Sequence, residues 1–155
     1  MPAPEIVQAM ATRFSATPFA LGIELPAEAL LSALRTLRDA HGYRYYVLGT
    51  GTDRDAAFEV VHAVRNLETN DTLFVKVVVQ KDAPEVDSIA FVYAGAEWQE
   101  REIWDLFGVS FKAHPDLRRI LMPDEYPGHP LRKSFAMDTP WGYRPATGPP
   151  PETAS

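Results

Sequence analysis

Cysteine is absent from the 155 residues, which excludes disulfides, thiolate nucleophiles, thiolate zinc sites and cysteine-ligated iron–sulfur clusters together. Electrons passing nearby would have to be carried by another chain. A basic surplus is also missing: 15 Lys and Arg stand against 21 Asp and Glu, a formal net charge of −6, so there is no overall basic footprint for nucleic acid. The longest uncharged apolar stretches, such as Ile89 to Ala96, fall far short of the roughly 20 residues that a bilayer span needs. The opening Met-Pro-Ala-Pro-Glu has neither a basic nor an apolar signal region, so a cytoplasmic chain without a secretory signal is expected. Histidine is sparse, and His41, His62, His114 and His129 form no i, i+4 pair. Zinc requires three or four converging ligands, so no metal site is expected. Gly49-Thr50-Gly51 follows an apolar segment, but Arg54 stands where a dinucleotide fingerprint has its third glycine, and there is no Gly-Lys-Ser/Thr step and no Gly-x-Ser-x-Gly elbow.

What remains is a globular composition, 46% hydrophobic and 23% charged, of a length that suits one domain. Ile6, Val7, Met10 and Phe14 behind Pro4 have helical spacing. Phe19, Leu21, Ile23 and Leu25 alternate as in a half-buried strand. Pro26 opens a second helix, with Leu30, Leu31, Leu34 and Leu37 on one stripe and Gly42 as its stop. Strands are predicted over 43–48, 57–67 and 72–80, the last two joined by a turn at Glu68-Thr69-Asn70-Asp71, and another over 88–93. A third helix runs from Glu97 to Phe107 and stops at Gly108. This order predicts an α+β fold of two layers, a mixed, mostly antiparallel sheet backed by helices, over residues 1–122. Eight of the 14 prolines lie between Pro123 and Pro151, so residues 123–155 are predicted to be an extended Pro-rich C-terminal arm and tail.

The third helix carries the chemistry. On a helical wheel Ile103, Trp104, Leu106 and Phe107 share one arc, while Trp98, Arg101, Glu102 and Asp105 share the other. Glu100 falls in the apolar arc, where a carboxylate must snorkel, find a cation or shift its pKa. Arg118, Arg119 and Arg132 are the cations that follow it. Arg101 and Asp105 read either as a solvated i, i+4 pair or as part of a larger lattice. Trp98, exposed among charges, reads as an interface anchor. His114-Pro115-Asp116-Leu117-Arg118-Arg119-Ile120-Leu121 is predicted to be a capped short helix, its arginines offered to an anion or a partner carboxylate. Gly128-His129-Pro130-Leu131-Arg132-Lys133 predicts a turn with Leu131 as an apolar peg beside Arg132 and Lys133.

Three runs together, Ala96-Glu97-Trp98-Gln99-Glu100-Arg101-Glu102-Ile103-Trp104-Asp105-Leu106-Phe107-Gly108-Val109, His114 to Leu121, and Gly128 to Lys133, resemble the C subunit of proton-pumping NADH-quinone oxidoreductase, the 30 kDa subunit family of respiratory complex I. Ser88-Ile89-Ala90-Phe91-Val92-Tyr93 and Pro123-Asp124 add to the likeness, while family members usually carry an acidic residue where this chain has Ser134. The resemblance implies a peripheral-arm subunit with no catalytic residue and no cofactor of its own, FMN and the iron–sulfur clusters residing in partner subunits. It implies docking to the D subunit, which forms much of the quinone site, with the B and I subunits nearby. It also implies membrane association only through the complex, on the cytoplasmic side. The expected docking and structural residues are Trp98, Glu100, Arg101, Glu102, Asp105, His114, Asp116, Arg118, Arg119, Leu131, Arg132 and Lys133. The alternatives are an equivalent scaffold in a membrane-bound hydrogenase or related quinone-reducing complex, or a stand-alone enzyme using His114, Asp116 and the arginines on an anionic substrate.

Overall fold

A computed structural model describes residues 2–135. Helix α1 (Pro4–Phe14) ends at Ser15 in the left-handed conformation, and a hairpin of β1 (Thr17–Phe19) and β2 (Gly22–Leu25) follows. A 3-10 turn (Ala27–Ala29) leads into α2 (Leu30–His41), whose Leu30, Ala33, Leu34 and Leu37 are buried. Gly42, at φ 75°, takes the left-handed cap that an L side chain resists. Strands β3 (Tyr45–Asp53), β4 (Ala57–Asn66) and β5 (Asp71–Gln80) come next, then β6 (Glu85–Asp87), α3 (Ala96–Phe107) and β7 (Ser110–Lys112).

The five-stranded sheet has the order β1-β2-β5-β4-β3, with all neighbours antiparallel except the parallel pair β2-β5, and β6 pairs with β7 in a separate parallel ribbon. Period-two burial decides which face the helices cover. Phe58, Val60, His62 and Val64 of β4 stand opposite Val79, Val77, Val75 and Leu73 of β5, and all eight are buried. Ile23 and Leu25 extend that face, and Met10, Leu30, Leu34, Leu37, Ile103 and Phe111 close over it in one continuous core. The turn between β4 and β5 is tied by Asn66, whose side-chain oxygen accepts from the N–H of Glu68 and Thr69 while its amide donates to the His41 carbonyl at the end of α2.

Four sequence expectations change here. The alternating run 19–25 is two strands rather than one, because the chain turns at Ala20 and Leu21, which leaves Phe19 and Leu21 exposed. The parallel approach of β2 to β5 depends on Gly22: a Cβ there would fall on the carbonyl oxygen of Phe74, a backbone atom that cannot give way without opening the ladder. Gly22→Ala is therefore expected to cost about 3 kcal/mol or more and to lower Tm by on the order of 10 °C. Thermal unfolding checks this, and an unchanged Tm would contradict the β2-β5 register.

The segment 88–93 is a turn and not a strand, since the N–H groups of Val92 and Tyr93 bond back to the Ile89 carbonyl and the N–H of Ile89 goes to a side chain. Residues 114–121 form turns and bends rather than a capped helix, because the N–H groups of 120–122 are drawn to α3 instead of to their own carbonyls. Finally, β3 begins at Tyr45 and runs on through Gly49-Thr50-Gly51 to Asp53, while Tyr43 is buried in the core.

A candidate docking site where the third helix meets the basic segment

Helix α3 lies across β3, and the two glycines of β3 let it approach. A Cβ at Gly51 would come within 2.9 Å of the Phe107 ring and 3.1 Å of Ile103. The N–H of Gly49 donates to the side-chain oxygen of Gln99. The Gly-x-Gly that fails as a nucleotide fingerprint thus serves helix-on-sheet packing. Behind it Tyr46 stacks on Tyr93 with ring centroids 5.6 Å apart, and its hydroxyl lies 2.9 Å from Nδ1 of His62. His62 is fully buried and burial pushes its pKa down to about 4, so this imidazole is neutral.

Glu100 is buried, as its place on the apolar arc predicts, but no arginine pairs with it among the described residues. Its carboxyl accepts from Ser88 Oγ at 2.5 Å and from the Ile89 N–H at 2.7 Å, and His114 Nε2 lies 3.8 Å away. Burial raises its pKa to about 7 against the lowering effect of those two hydrogen bonds. A raised pKa together with these two hydrogen bonds, not a cation, accommodates the buried carboxyl. His114 is positioned by its two nitrogens: Nδ1 accepts from the Asp116 N–H at 3.0 Å and Nε2 donates to the Glu97 carbonyl at 3.0 Å.

Only half of the other arc of α3 is the solvated face that the wheel suggests: Trp98 and Glu102 are exposed. Arg101 and Asp105 are both buried, and each reaches outward to the segment that follows instead of to the other. Arg101 donates to the carbonyls of Arg118 and Arg119 at 3.2 and 3.1 Å. Asp105 accepts the N–H groups of Ile120, Leu121 and Met122 on one oxygen at 2.8–3.0 Å, while its second oxygen takes Nη1 of Arg119 at 2.7 Å. Burial alone would raise the Asp105 pKa, but the three N–H donors and Arg119 outweigh it and hold the carboxyl below its ordinary range. Arg119 continues to the carbonyls of Tyr126 and Gly128 at 2.8 and 3.1 Å, so one guanidinium joins helix, bend and turn.

A helix leaves its last carbonyls without internal partners, and here residues 129–132 supply them. His129 Nδ1 donates to the Asp105 carbonyl at 2.9 Å, the N–H of Leu131 to Leu106 at 3.0 Å, and Arg132 to Phe107 and Gly108 at 2.5 and 3.3 Å. A guanidinium at a helix C-terminus also meets the negative end of the macrodipole. Gly108, at φ 72°, leaves the room, since a Cβ there would meet both Arg132 and His129. Arg132 further lies over the Phe58 ring at 5.1 Å. Lys133 then bridges to the sheet, its N–H reaching Asp53 at 2.8 Å and its ammonium Asp55 at 2.8 Å.

The twelve residues singled out from sequence therefore fall into groups. Arg101, Asp105, Arg119 and Arg132 join α3 to residues 118–132, Lys133 joins that segment to the end of β3, and Glu100 and His114 form a second buried cluster with Ser88. Asp116 and Arg118 pair with each other at 2.8 Å on the exposed surface. Trp98, Glu102 and Leu131 face outward, Trp98 with Arg101 over its ring at 5.1 Å. Sequence reasoning misses Asp53, Ser88 and the Tyr46–His62 pair. Of these His62 alone leaves a sequence signal, since it occupies a core-parity position in a Val-rich strand. The predicted arm falls partly outside the described residues, which end at Phe135.

Comparison with known proteins adds family context. The family model described as respiratory-chain NADH dehydrogenase, 30 Kd subunit, matches residues 23–140. The C subunit of a NADH-quinone oxidoreductase from Phenylobacterium zucineum is 42% identical over 120 residues, covering 76% of this chain and 57% of that relative's length. The C/D subunit of a NADH-quinone oxidoreductase from Methylococcus capsulatus is 36% identical over 148 residues, covering 83% of this chain and 25% of its own. Among solved structures, the trypsin-resistant fragment (1-134) of Nqo5 superposes with a TM-score of 0.64 at 25% identity, over 74% of this chain and 98% of that one.

Proposed function

The chain belongs to the respiratory-chain NADH dehydrogenase 30 Kd subunit family, and from that membership we propose that it is a non-redox structural subunit of the peripheral arm of NADH-quinone oxidoreductase that docks the D subunit. On this reading NADH oxidation, electron transfer through FMN and iron–sulfur clusters, and quinone reduction belong to partner chains, with the B and I subunits close by. The complex, not this chain, meets the cytoplasmic face of the membrane. The observation that carries the proposal is the lattice at the end of α3. Its buried carboxylate and its arginines spend their hydrogen bonds on one another and on backbone groups of α3 and of 118–132, which gives a fixed shape to a surface instead of a reactive centre. Relatives whose name joins C and D support the choice of the D subunit as principal partner.

Co-purification of the D subunit with a tagged chain tests this. Wild type and Arg118→Ala are expected to recover it equally, because among the described residues the Arg118 side chain pairs with Asp116 alone, at the surface. Arg119→Ala removes contacts to Asp105, Tyr126 and Gly128 and is expected to reduce recovery strongly. Absence of the D subunit from the wild-type preparation, or full recovery with Arg119→Ala, would overturn the assignment.

A further inference from the structure

A cleft of about 100 Å3 opens between the edge strand β3 and helix α3, walled by Thr50 and Gly51 on the strand, Glu102 and Leu106 on the helix, and Leu131 from the basic segment. Its size is decisive. Small-molecule and cofactor sites occupy about 300–1,000 Å3, whereas a dry cavity of about 150 Å3 holds a benzene. A cleft of this size suits a single aliphatic side chain better than a small-molecule ligand. Its lining is apolar at Leu131, which is 52% exposed, and Trp98, 60% exposed, stands on the same helix one turn before Glu102. Aromatic anchors beside an emptied pocket are the usual centre of a protein interface. Its charge is of one sign: Glu102 is exposed, and no hydrogen bond or ion pair engages it among the described residues. The cleft also lies at the exposed edge of the sheet, a row of backbone that native proteins cover.

We infer that this cleft is where the D subunit grips the chain, by inserting one aliphatic side chain flanked by a Lys or Arg that pairs with Glu102. The inference rests on the docking proposed above and adds its location and chemistry. The choice of occupant follows from charge complementarity at Glu102, from the volume, and from continuity with the segment that the lattice fixes, since Leu131 belongs to both.

The test uses the assembled complex with a photoreactive benzoylphenylalanine placed at Leu131 or, as a control, at Leu21, an equally exposed position at the opposite edge of the sheet. Irradiation is expected to join the chain to the D subunit from Leu131 and not from Leu21. Glu102→Lys is expected to weaken recovery of that partner about tenfold while leaving the melting temperature of the chain unchanged, and Glu102→Gln to weaken it less. Crosslinks to the D subunit from Leu21 but not from Leu131, or undiminished recovery with Glu102→Lys, would place the grip elsewhere and leave docking itself intact. Failure of the unmodified chain to bring down the D subunit would instead remove both readings.

Discussion

Asp105→Ala is expected to release residues 118–132 from α3 and to cost about 3 kcal/mol, the lower end of what is lost when one partner of a buried charged pair is removed. Three N–H donors and Arg119 lose their acceptor at once, and the replacement methyl offers none of them anything. Water can reach part of this site, since the Arg119 side chain retains 12% exposure, and that keeps the loss at the lower end. The local effect should exceed the global one. Amide exchange at Ile120, Leu121 and Met122 should accelerate by orders of magnitude, and trypsin should cut after Arg118 and Arg119 faster than in the wild-type chain. Asp105→Asn keeps one oxygen as an acceptor and should lose less. Equal protection and equal melting in wild type and Asp105→Ala would show that the lattice is not what holds the segment.

The second large effect is a change in the shape of the stability–pH curve. Glu100 titrates near 4.5 in the unfolded chain and near 7 when folded, so between those values the folded state holds the extra proton and stability falls as pH rises. His62 titrates near 6.5 unfolded and near 4 folded, so between those values the unfolded state holds the extra proton and stability rises with pH. The two slopes oppose each other over roughly pH 4.5 to 6.5, and the contribution of this pair to the wild-type curve should be nearly level there. Glu100→Gln, which keeps an acceptor for the Ile89 N–H, removes only the falling slope. The stability of the variant relative to wild type should therefore improve by about 3 kcal/mol between pH 4 and pH 8. Denaturant unfolding at a series of pH values measures the difference. Parallel curves would show that Glu100 is not a buried neutral acid, and a His62 ring signal titrating near 6.5 in the folded protein would remove the opposing slope.

Much of the fold could be read from residue order, and particular elements show why. Helix α2 declares itself through Leu30, Leu34 and Leu37 and the stop at Gly42, and the β4–β5 hairpin through its Val-rich runs on either side of the turn, because in both cases the deciding contacts are local or repeat with a short period. The end of α3 is legible as a place, not as a set of partners. A helical wheel ranks Asp105 and Arg101 by their own polarity and sends them to solvent, whereas their burial is made by backbone groups 15–18 positions further on. Glu100 shows the same limit from the other side. Its place on the apolar arc announces an energetic problem, but Ser88 and the Ile89 N–H, which resolve it, come from a segment whose apolar run reads as a strand. The alternating residues 19–25 conceal a turn, because alternation is indifferent to whether the chain reverses between Phe19 and Gly22.

The capping of α3 by residues 129–132 also bears on the kinetics of association. The capping contacts all lie within the chain, so the loss of backbone freedom, roughly 1–2 kcal/mol per residue, is expected to be incurred during folding and not at the encounter with a partner. Recognition of this face should accordingly resemble the docking of two preformed bodies: little change in helicity on binding, a heat-capacity change set by the contact area alone, and mutations that alter residence time far more than capture rate.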